Sequence, residues 1–374
     1  MKGLELSEKY FEECGRAVLA REFPGLMPYI AVAFVGPGSD RYGFDDELST
    51  DHDFEPGFCI FLPGEELVSR QEEFRLERAY AKLPKEFMGF SRQRLSAVGG
   101  SRNGVIRTAE FYRNAVGAED GVLTVNAWLH IPDYALAEAV NGRVFMDNYG
   151  EFTRIRESIK NMPEDIRLKR LAGNLLIMAQ SGQYNYTRCL KHGEYEAAAL
   201  CCSEYVRAAM KVIFLLRKEY MPYYKWSFRA LRQLEGHELY SSSLSSLLSG
   251  NIKSDEECRA KYLTIEKISS DIIAELLAAG LVKNDRGQRQ NMSAGRNLQF
   301  PDTKLNENIS RDLGSCAYYE DPESCAYRGD LESCAYYEDP ESCAYCGDLE
   351  SCAYCVNDMI ADGDIRNLNI FEAV

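Results

Sequence analysis

The sequence predicts an α+β protein with a small mixed-sheet domain, an all-α helical bundle and a low-complexity repeat tail. Short apolar runs, typical of buried strands, occur within the first 150 residues. Long stretches with helical periodicity follow from residue 151, and Ser-Cys-Ala-Tyr recurs every nine residues from residue 315. We therefore expect five regions: domains over 1–150 and 151–285, a linker over 286–314, repeats over 315–355 and a C-terminal tail over 356–374.

The first domain is predicted to begin with an amphipathic helix over residues 7–22, which Pro24 ends. Two wholly apolar runs, 29–35 and 58–62, predict strands that are buried on both faces. A charged helix is expected over roughly 65–82. Together these patterns indicate strands covered by helices.

The rest of this domain is predicted to add two strands. Apolar and polar residues alternate over 122–131, which predicts a half-buried strand. A short helix should follow Pro132, and residues 143–147 form a further strand candidate. The domain should therefore contain a small mixed sheet.

The second domain reads as helical throughout. Residues 163–182 start with proline and acids, a typical helix opening. Residues 194–220 are apolar around much of the helix circumference, as expected for the centre of a bundle. Apolar residues from Tyr262 to Leu276 keep helical spacing.

The charge is distributed unevenly along the chain. The net charge of −15 comes mainly from residues 315–364, which hold 13 Asp and Glu against one Arg. Residues 1–314 are nearly neutral, so they lack the basic surface that duplex DNA requires. No apolar run predicts a membrane span or a secretion signal, and we expect a cytoplasmic protein with reduced cysteines.

The repeat tail allows two interpretations. Its near-identical repeats and its acidity favour a disordered extension that the fold does not need. The other interpretation is a small stacked array in which each repeat gives one short strand. The Cys-Ala-Tyr-Cys pairs at 343–346 and 352–355 are only a weak indication of metal binding.

A turn followed by many acids is the strongest functional signal. Gly38 and Ser39 come directly after the first apolar strand, and residues 40–55, here called the acidic segment, contain seven Asp and Glu. Residues two apart in a strand share a face, with alpha carbons about 7 Å apart, so Asp51 and Asp53 should project together. Two convergent carboxylates suit Mg²⁺, which assists in-line phosphoryl displacement. We therefore expect the positive partner of these acids to be a metal.

Gly38 and Ser39 fit the phosphates that such a metal would bring. A glycine lets the backbone approach a phosphate closely, and the Ser39 hydroxyl and nearby N–H groups can donate to it. The alternative is a surface turn followed by solvated acids. The order of strand, turn, acidic pair and second strand favours the functional interpretation.

This arrangement resembles the nucleotidyltransferase superfamily that includes DNA polymerase beta and the antibiotic nucleotidyltransferases, whose signature is Gly-Ser, a gap and Asp-x-Asp. Longer phrases resemble a bacterial domain-of-unknown-function family grouped with those enzymes. The resemblance covers about residues 5–283, and four phrases carry it: GFDDELSTDHDFEPGFCIFLPGEE, NGRVFMDNYGEFTRIRESI, MAQSGQYNYTRCLKHGEYEAA and YYKWSFRAL. It implies a nucleotidyltransferase domain followed by a helical bundle.

The resemblance also implies roles for individual residues. Gly38 and Ser39 would contact the triphosphate of an NTP, and Asp51 and Asp53 would be the catalytic, magnesium-binding pair. Lys225 resembles the helical-domain lysine that such enzymes turn toward the nucleotide. A solvated lysine beside a packed Trp226 is the alternative for that position.

Two features depart from the superfamily pattern. A third carboxylate usually follows on a later strand, where the predicted strand 122–131 offers Asn126 instead. Glu110 is a possible substitute. Pro37 removes one backbone donor from the turn.

Three functions follow as hypotheses. The first is a magnesium-dependent enzyme that moves NMP from an NTP to an acceptor hydroxyl and releases pyrophosphate. The second is an inactive nucleotide-binding or sensor module, which the two departures favour. The third, a metal-dependent phosphatase, leaves the Gly-Ser turn unexplained. The acceptor stays open, with a small molecule preferred over RNA or protein. The near-neutral charge of the first 314 residues argues against RNA.

Overall fold

The protein folds into two compact units. The computed structural model describes residues 1–46, 54–92, 103–250, 252, 254–282 and 349–373. Unit 1 comprises Met1–Pro163 and Lys218–Gln233, and unit 2 comprises Glu164–Arg217 and Leu234–Val374. The division differs from the expected boundary at residue 150. The helix Glu151–Lys160 and the later segment Lys218–Gln233 also belong to unit 1.

Unit 1 contains six strands and seven helices before residue 163 in its described part. The helices are α1 (Gly3–Tyr10), α2 (Arg16–Glu22), α3 (Arg70–Ala81), α4 (Thr108–Val116), α5 (Val125–His130), α6 (Asp133–Val140) and α7 (Glu151–Lys160). The strands are β1 (Ala31–Phe34), β2 (Cys59–Leu62), β3 (Glu86–Phe87), β4 (Phe90–Ser91), β5 (Gly104–Arg107) and β6 (Arg143–Asp147). A π-helical turn, Phe11–Gly15, joins α1 to α2.

Four strands form a mixed sheet in the order β5-β2-β1-β6. Strand β1 is antiparallel to β2 and β6, whereas β2 and β5 are parallel. The predictions of strands over 29–35, 58–62 and 143–147 are confirmed. Strand β5 and the β3–β4 hairpin were not predicted.

Helices cover both faces of this sheet. On one face, Ile60 belongs to a core cluster with Phe11 of the π-helical turn and Leu76 of α3. On the other face, Phe61 stacks on Phe152 of α7 with ring centroids 4.2 Å apart. Every residue of β1 and β2 is buried, as the wholly apolar runs predicted. The end of β1 is therefore held rigidly, and this positions the turn that follows it.

The predicted strand over 122–131 is wrong, because residues 125–130 form helix α5. The Thr124 hydroxyl accepts a hydrogen bond from Ala127 N at 3.2 Å, which caps the helix N-terminus. Trp128 and Leu129 are both buried, although strict alternation would place neighbouring side chains on opposite faces. The helix α6 that follows Pro132 was predicted correctly.

Unit 2 and the second segment of unit 1 contain the remaining described helices. They are α8 (Glu164–Met178), α9 (Tyr186–Lys191), α10 (Tyr195–Leu216), α11 (Tyr224–Leu231), α12 (Ser241–Leu248), α13 (Asp255–Ala278), α14 (Leu349–Asp358) and α15 (Gly363–Asn367). Of these, α11 belongs to unit 1. The helices predicted over 163–182, 194–220 and 262–276 are confirmed. None of the helices in the described ranges is long and apolar enough to cross a membrane.

Buried tyrosines tie the helices of unit 2 together. Tyr205 of α10 donates to the Ile265 carbonyl oxygen at 2.9 Å, and Tyr186 donates to the Cys258 carbonyl oxygen at 3.1 Å. Both acceptors lie on α13, so α10 and α9 are fixed against one helix. The described cysteines are free thiols, among them the six before residue 285 for which this was predicted.

The last repeat and the C-terminal tail are packed parts of unit 2, so the interpretation of a disordered extension is wrong for residues 349–355. Helix α14 contains the fifth Ser-Cys-Ala-Tyr, and its Leu349, Cys352 and Val356 are fully buried. Lys169 of α8 is also buried, and its ammonium donates to Asn357 Oδ1 at 2.8 Å and to the Arg366 carbonyl oxygen at 3.0 Å. The other four repeats lie outside the described residues.

Candidate functional site

The turn after β1 requires glycine at two positions. Gly36 has φ +97° and Gly38 has φ +131°, which residues with a β-carbon rarely adopt. Asn141 fixes the first of them, since its amide donates to the Gly36 carbonyl oxygen at 2.7 Å and accepts from Gly36 N at 2.8 Å. Gly38, one of the predicted site residues, is therefore required by the backbone conformation of the turn.

The predicted residues Gly38 and Ser39 leave hydrogen-bond donors available. Their carbonyl oxygens accept from Arg41 N at 3.2 Å and from Phe44 N at 2.8 Å. Their N–H groups and the Ser39 hydroxyl have no partner in the part of the chain that the structure describes. Ser39 is half-buried, so these donors remain within reach of solvent. Such a turn can bind an anion such as a phosphate.

A buried cation lies beneath this turn. The Arg41 side chain is almost fully buried, and its Nε donates to the Val35 carbonyl oxygen at 2.9 Å. One terminal nitrogen pairs with Asp40 Oδ2 at 2.8 Å, and the guanidinium lies 4.1 Å from the Phe34 ring centroid. Arg41 thus holds the turn against the end of β1. The sequence reasoning missed it, although an arginine within a run of acids was a visible signal.

Four of the seven acids lie among the described residues, and all four have partners within the protein. Asp40 pairs with Arg41, and Asp46 pairs with Arg229 at 3.1 Å. Asp45 Oδ2 accepts from Gly3 N at 3.0 Å, which places its charge at the positive N-terminus of α1. The Oδ1 atom of Asp45 is buried without a hydrogen-bond partner among the described residues. The fourth acid, Glu55, accepts from Asn103 Nδ2 at 3.1 Å.

These contacts correct the expectation that a metal is the positive partner of the whole acidic segment. Arginines and a helix N-terminus offset Asp40, Asp45 and Asp46. The predicted metal ligands Asp51 and Asp53 lie outside the described residues, as does Glu47. A metal site on Asp51 and Asp53 therefore stays a prediction. Among the described residues, no group of three or more His, Cys, Asp or Glu is arranged to hold a metal ion.

Helix α11 contacts the start of the acidic segment through aromatic and charged side chains. The Tyr42 and Phe44 rings stack at 5.4 Å, and Phe44 lies 6.0 Å from Trp226. Arg229 donates to the Phe44 carbonyl oxygen. Burial, together with the charge of Glu138, raises the pKa of the Tyr42 phenol, which stays neutral at physiological pH.

Lys225 is exposed on the same helix, and its ammonium lies 4.9 Å from the Trp226 ring centroid. Trp226 in turn lies beside Phe44, whose N–H donates to the Ser39 carbonyl oxygen of the turn. Trp226 is packed against Phe44, as the alternative interpretation of Lys225 expected. The structure therefore shows the lysine beside Trp226, and its role toward a nucleotide stays a prediction.

Asn126 and Glu110, the two residues considered in place of a third carboxylate, do not lie on a strand. Asn126 is exposed on α5, so the strand that was expected to present it does not exist. Glu110 is exposed in the first turn of α4, three residues after β5 ends. Neither residue has a described contact with Gly38 or Ser39. Glu55, two residues after Asp53 in the sequence, continues the alternation of acids and was a signal that we did not use.

Comparison with known proteins gives one family match and a weak structural similarity. A domain of unknown function (DUF4037) matches residues 128–227. This range lies after Gly38, Ser39 and the acidic segment, and it includes Lys225. No curated protein matches significantly. A nucleotidyltransferase-like protein from Exiguobacterium sibiricum 255-15, known from a crystal structure, is 11% identical with a TM-score of 0.34, covering 82% of this chain and 88% of that one.

Proposed function

We propose that the protein is a magnesium-dependent nucleotidyltransferase. An acceptor hydroxyl attacks the α-phosphorus of an NTP and forms a new P–O bond to the nucleotidyl group. The bond between the α-phosphorus and the bridging oxygen breaks, and pyrophosphate leaves with that electron pair. The hydroxyl proton passes to solvent or to a carboxylate.

The observation that carries this proposal is the turn at Gly38 and Ser39. Its N–H groups and hydroxyl lack partners among the described residues, while Arg41 and Asn141 fix the backbone on either side. A phosphate bound there receives donors that are already oriented, which avoids an ordering cost. Arg41 is paired with Asp40, so it contributes by holding the turn in place rather than by adding net charge.

The acidic segment supplies the oxygen ligands that magnesium prefers. It begins beside the turn, since Phe44 N is bonded to the Ser39 carbonyl oxygen, and its last acid, Glu55, is linked to Arg41 through Asn103. Asp51 and Asp53 lie between these two ends in the sequence, and we assign them as the magnesium ligands. A magnesium ion held by these carboxylates would supply positive charge to the phosphate oxygens during transfer.

Lys225 is proposed to contact the nucleotide from helix α11. It is exposed, it carries no described ion pair, and its neighbour Trp226 touches the segment that follows the turn. A flexible ammonium at this position can reach a phosphate. A small molecule is the proposed acceptor.

Nucleotide binding without transfer is the second candidate. The position of Asn126 on a helix favours it, because the expected strand does not provide a third metal ligand. Under this alternative the turn and the acidic pair bind NTP and magnesium, and no pyrophosphate is released.

Incubation with labelled NTPs, magnesium and a metabolite extract separates the two candidates. We expect pyrophosphate release from the intact protein and a loss of at least about 100-fold in the Ser39→Ala/Asp53→Asn double variant, because both phosphate and metal contacts are removed. Binding of NTP without pyrophosphate release in any extract would favour the second candidate. Absence of both binding and release would overturn the proposal.

A further inference from the structure

Two thiols lie side by side where helices α9 and α10 of unit 2 meet. The sulfur atoms of Cys189 on α9 and Cys201 on α10 are 4.0 Å apart. A disulfide bond has a sulfur–sulfur distance of about 2.0 Å, so each sulfur has to move by only about 1 Å to form one. Both groups are free thiols in the structure, and they are within reach of a bond.

The short connection between the two helices fixes the backbone at this pair. The Cys189 carbonyl oxygen accepts from His192 N at 3.1 Å and from Glu194 N at 2.9 Å. Gly193, with φ +74°, lets the chain reverse between these two donors. Helix α10 begins at the next residue after Glu194, so little chain is free to separate the helices here. Each thiol therefore has a high effective concentration toward the other.

Solvent reaches this pair more readily than it reaches the other thiols of α10 and α13. Cys189 and Cys201 are half-buried, whereas Cys202 and Cys258 are 2% and 4% exposed. Burial raises the pKa of Cys201 to about 12, and the adjacent Cys189 adds to this effect. The Cys201 thiol therefore stays protonated at neutral pH and reacts slowly with a dissolved oxidant. Cys189 is then the thiol of the pair that reacts first with an external reagent.

We propose that Cys189 and Cys201 are a redox-sensitive pair, which a small disulfide such as oxidised glutathione converts into a disulfide bond. The Cys189 thiolate attacks one sulfur of the oxidant, and the first glutathione leaves as a thiolate. The Cys201 sulfur then attacks Cys189 in this mixed disulfide, and the second glutathione leaves with the proton of Cys201. The protein loses two electrons and two protons, and the oxidant becomes two glutathione thiols. The new bond ties α9 to α10 and is independent of nucleotide binding.

Peptide mapping of the full chain tests this pairing. The wild type, Cys201→Ala and the control Cys202→Ala are equilibrated with reduced and oxidised glutathione, alkylated in acid and digested with trypsin. Trypsin separates Cys189 from residues 192–207, which carry the other two cysteines. We expect the wild type and Cys202→Ala to give the crosslinked peptides in at least about tenfold excess over the glutathione adduct of Cys189, because the neighbouring thiol displaces glutathione.

The variant without the second thiol gives a different product. Cys201→Ala should keep glutathione on Cys189, since no adjacent thiol removes it. Oxidation should also raise the Tm of the wild type by about 5 °C more than that of Cys201→Ala or Cys189→Ser, because the bond closes a loop in the unfolded chain. The proposal is overturned if the wild type accumulates the adduct without the crosslink or leaves Cys189 as a free thiol. It is also overturned if Cys201→Ala gives as much crosslink as the wild type.

Discussion

Shortening Val356 to alanine should destabilise unit 2, because this side chain lies in the contact between α14 and the rest of the unit. Val356 is fully buried, and α14 packs against α8. The change removes two methyl groups, worth about 1.6 kcal/mol of transfer free energy, and it leaves a small cavity. We expect the free energy of unfolding to fall by about 2–3 kcal/mol, which corresponds to a decrease of roughly 4–12 °C in Tm.

The assay is thermal unfolding of the full chain followed by circular dichroism. Met359→Ala is the control, because Met359 lies one turn later in sequence and is 47% exposed. It removes more side-chain atoms than Val356→Ala but should change Tm by about 2 °C or less. If both variants melt at the same temperature as the wild type, the C-terminal segment does not contribute to the core and the reasoning is refuted.

Three further predictions concern other parts of the chain. Lys169→Met should lower the free energy of unfolding by about 3 kcal/mol in urea titration, because buried acceptors of α14 and the following segment lose their donor. Hydrogen bonding from Arg217 lowers the pKa of Glu275. The pair therefore stabilises the fold above the usual Glu pKa, and this contribution is lost as the pH falls. Glu275→Gln should flatten the dependence of the free energy of unfolding on pH between about pH 6 and pH 3. Gly38→Ala should cost about 1–2 kcal/mol and weaken NTP binding, whereas Gly117→Ala, also at positive φ, should lower stability alone.

Much of the fold could be predicted because its patterns are local. The wholly apolar run of β1 and the long helix α10 are each set by residues near one another in sequence, and both were predicted. The strand predicted over 122–131 failed because its alternation is short and the Thr124 cap favours a helix. Strand β5 was missed because it is only four residues long and its two apolar residues lie between Gly104 and Arg107, too short a run to predict a strand.

The candidate site shows the same limit. Gly38 and Ser39 could be identified from their place after a strand, but Asn103 meets Arg41 across 62 residues, and no local pattern signals such a contact. The last repeat is a different case. Val356 occupies a position where the four preceding repeats have Gly or Glu, so the apolar residue that lets this copy pack was visible in the sequence.

The central claim is that Asp51 and Asp53 bind magnesium with a nucleotide at the Gly38–Ser39 turn. Calorimetric titration of NTP with and without magnesium tests it most directly, using the wild type, the Asp51→Asn/Asp53→Asn variant and a charge-matched Glu13→Gln/Glu77→Gln control on exposed acids of unit 1. We predict magnesium-dependent binding in the wild type and the control, and its loss in the aspartate variant. Equal magnesium-dependent binding in all three proteins would contradict the claim.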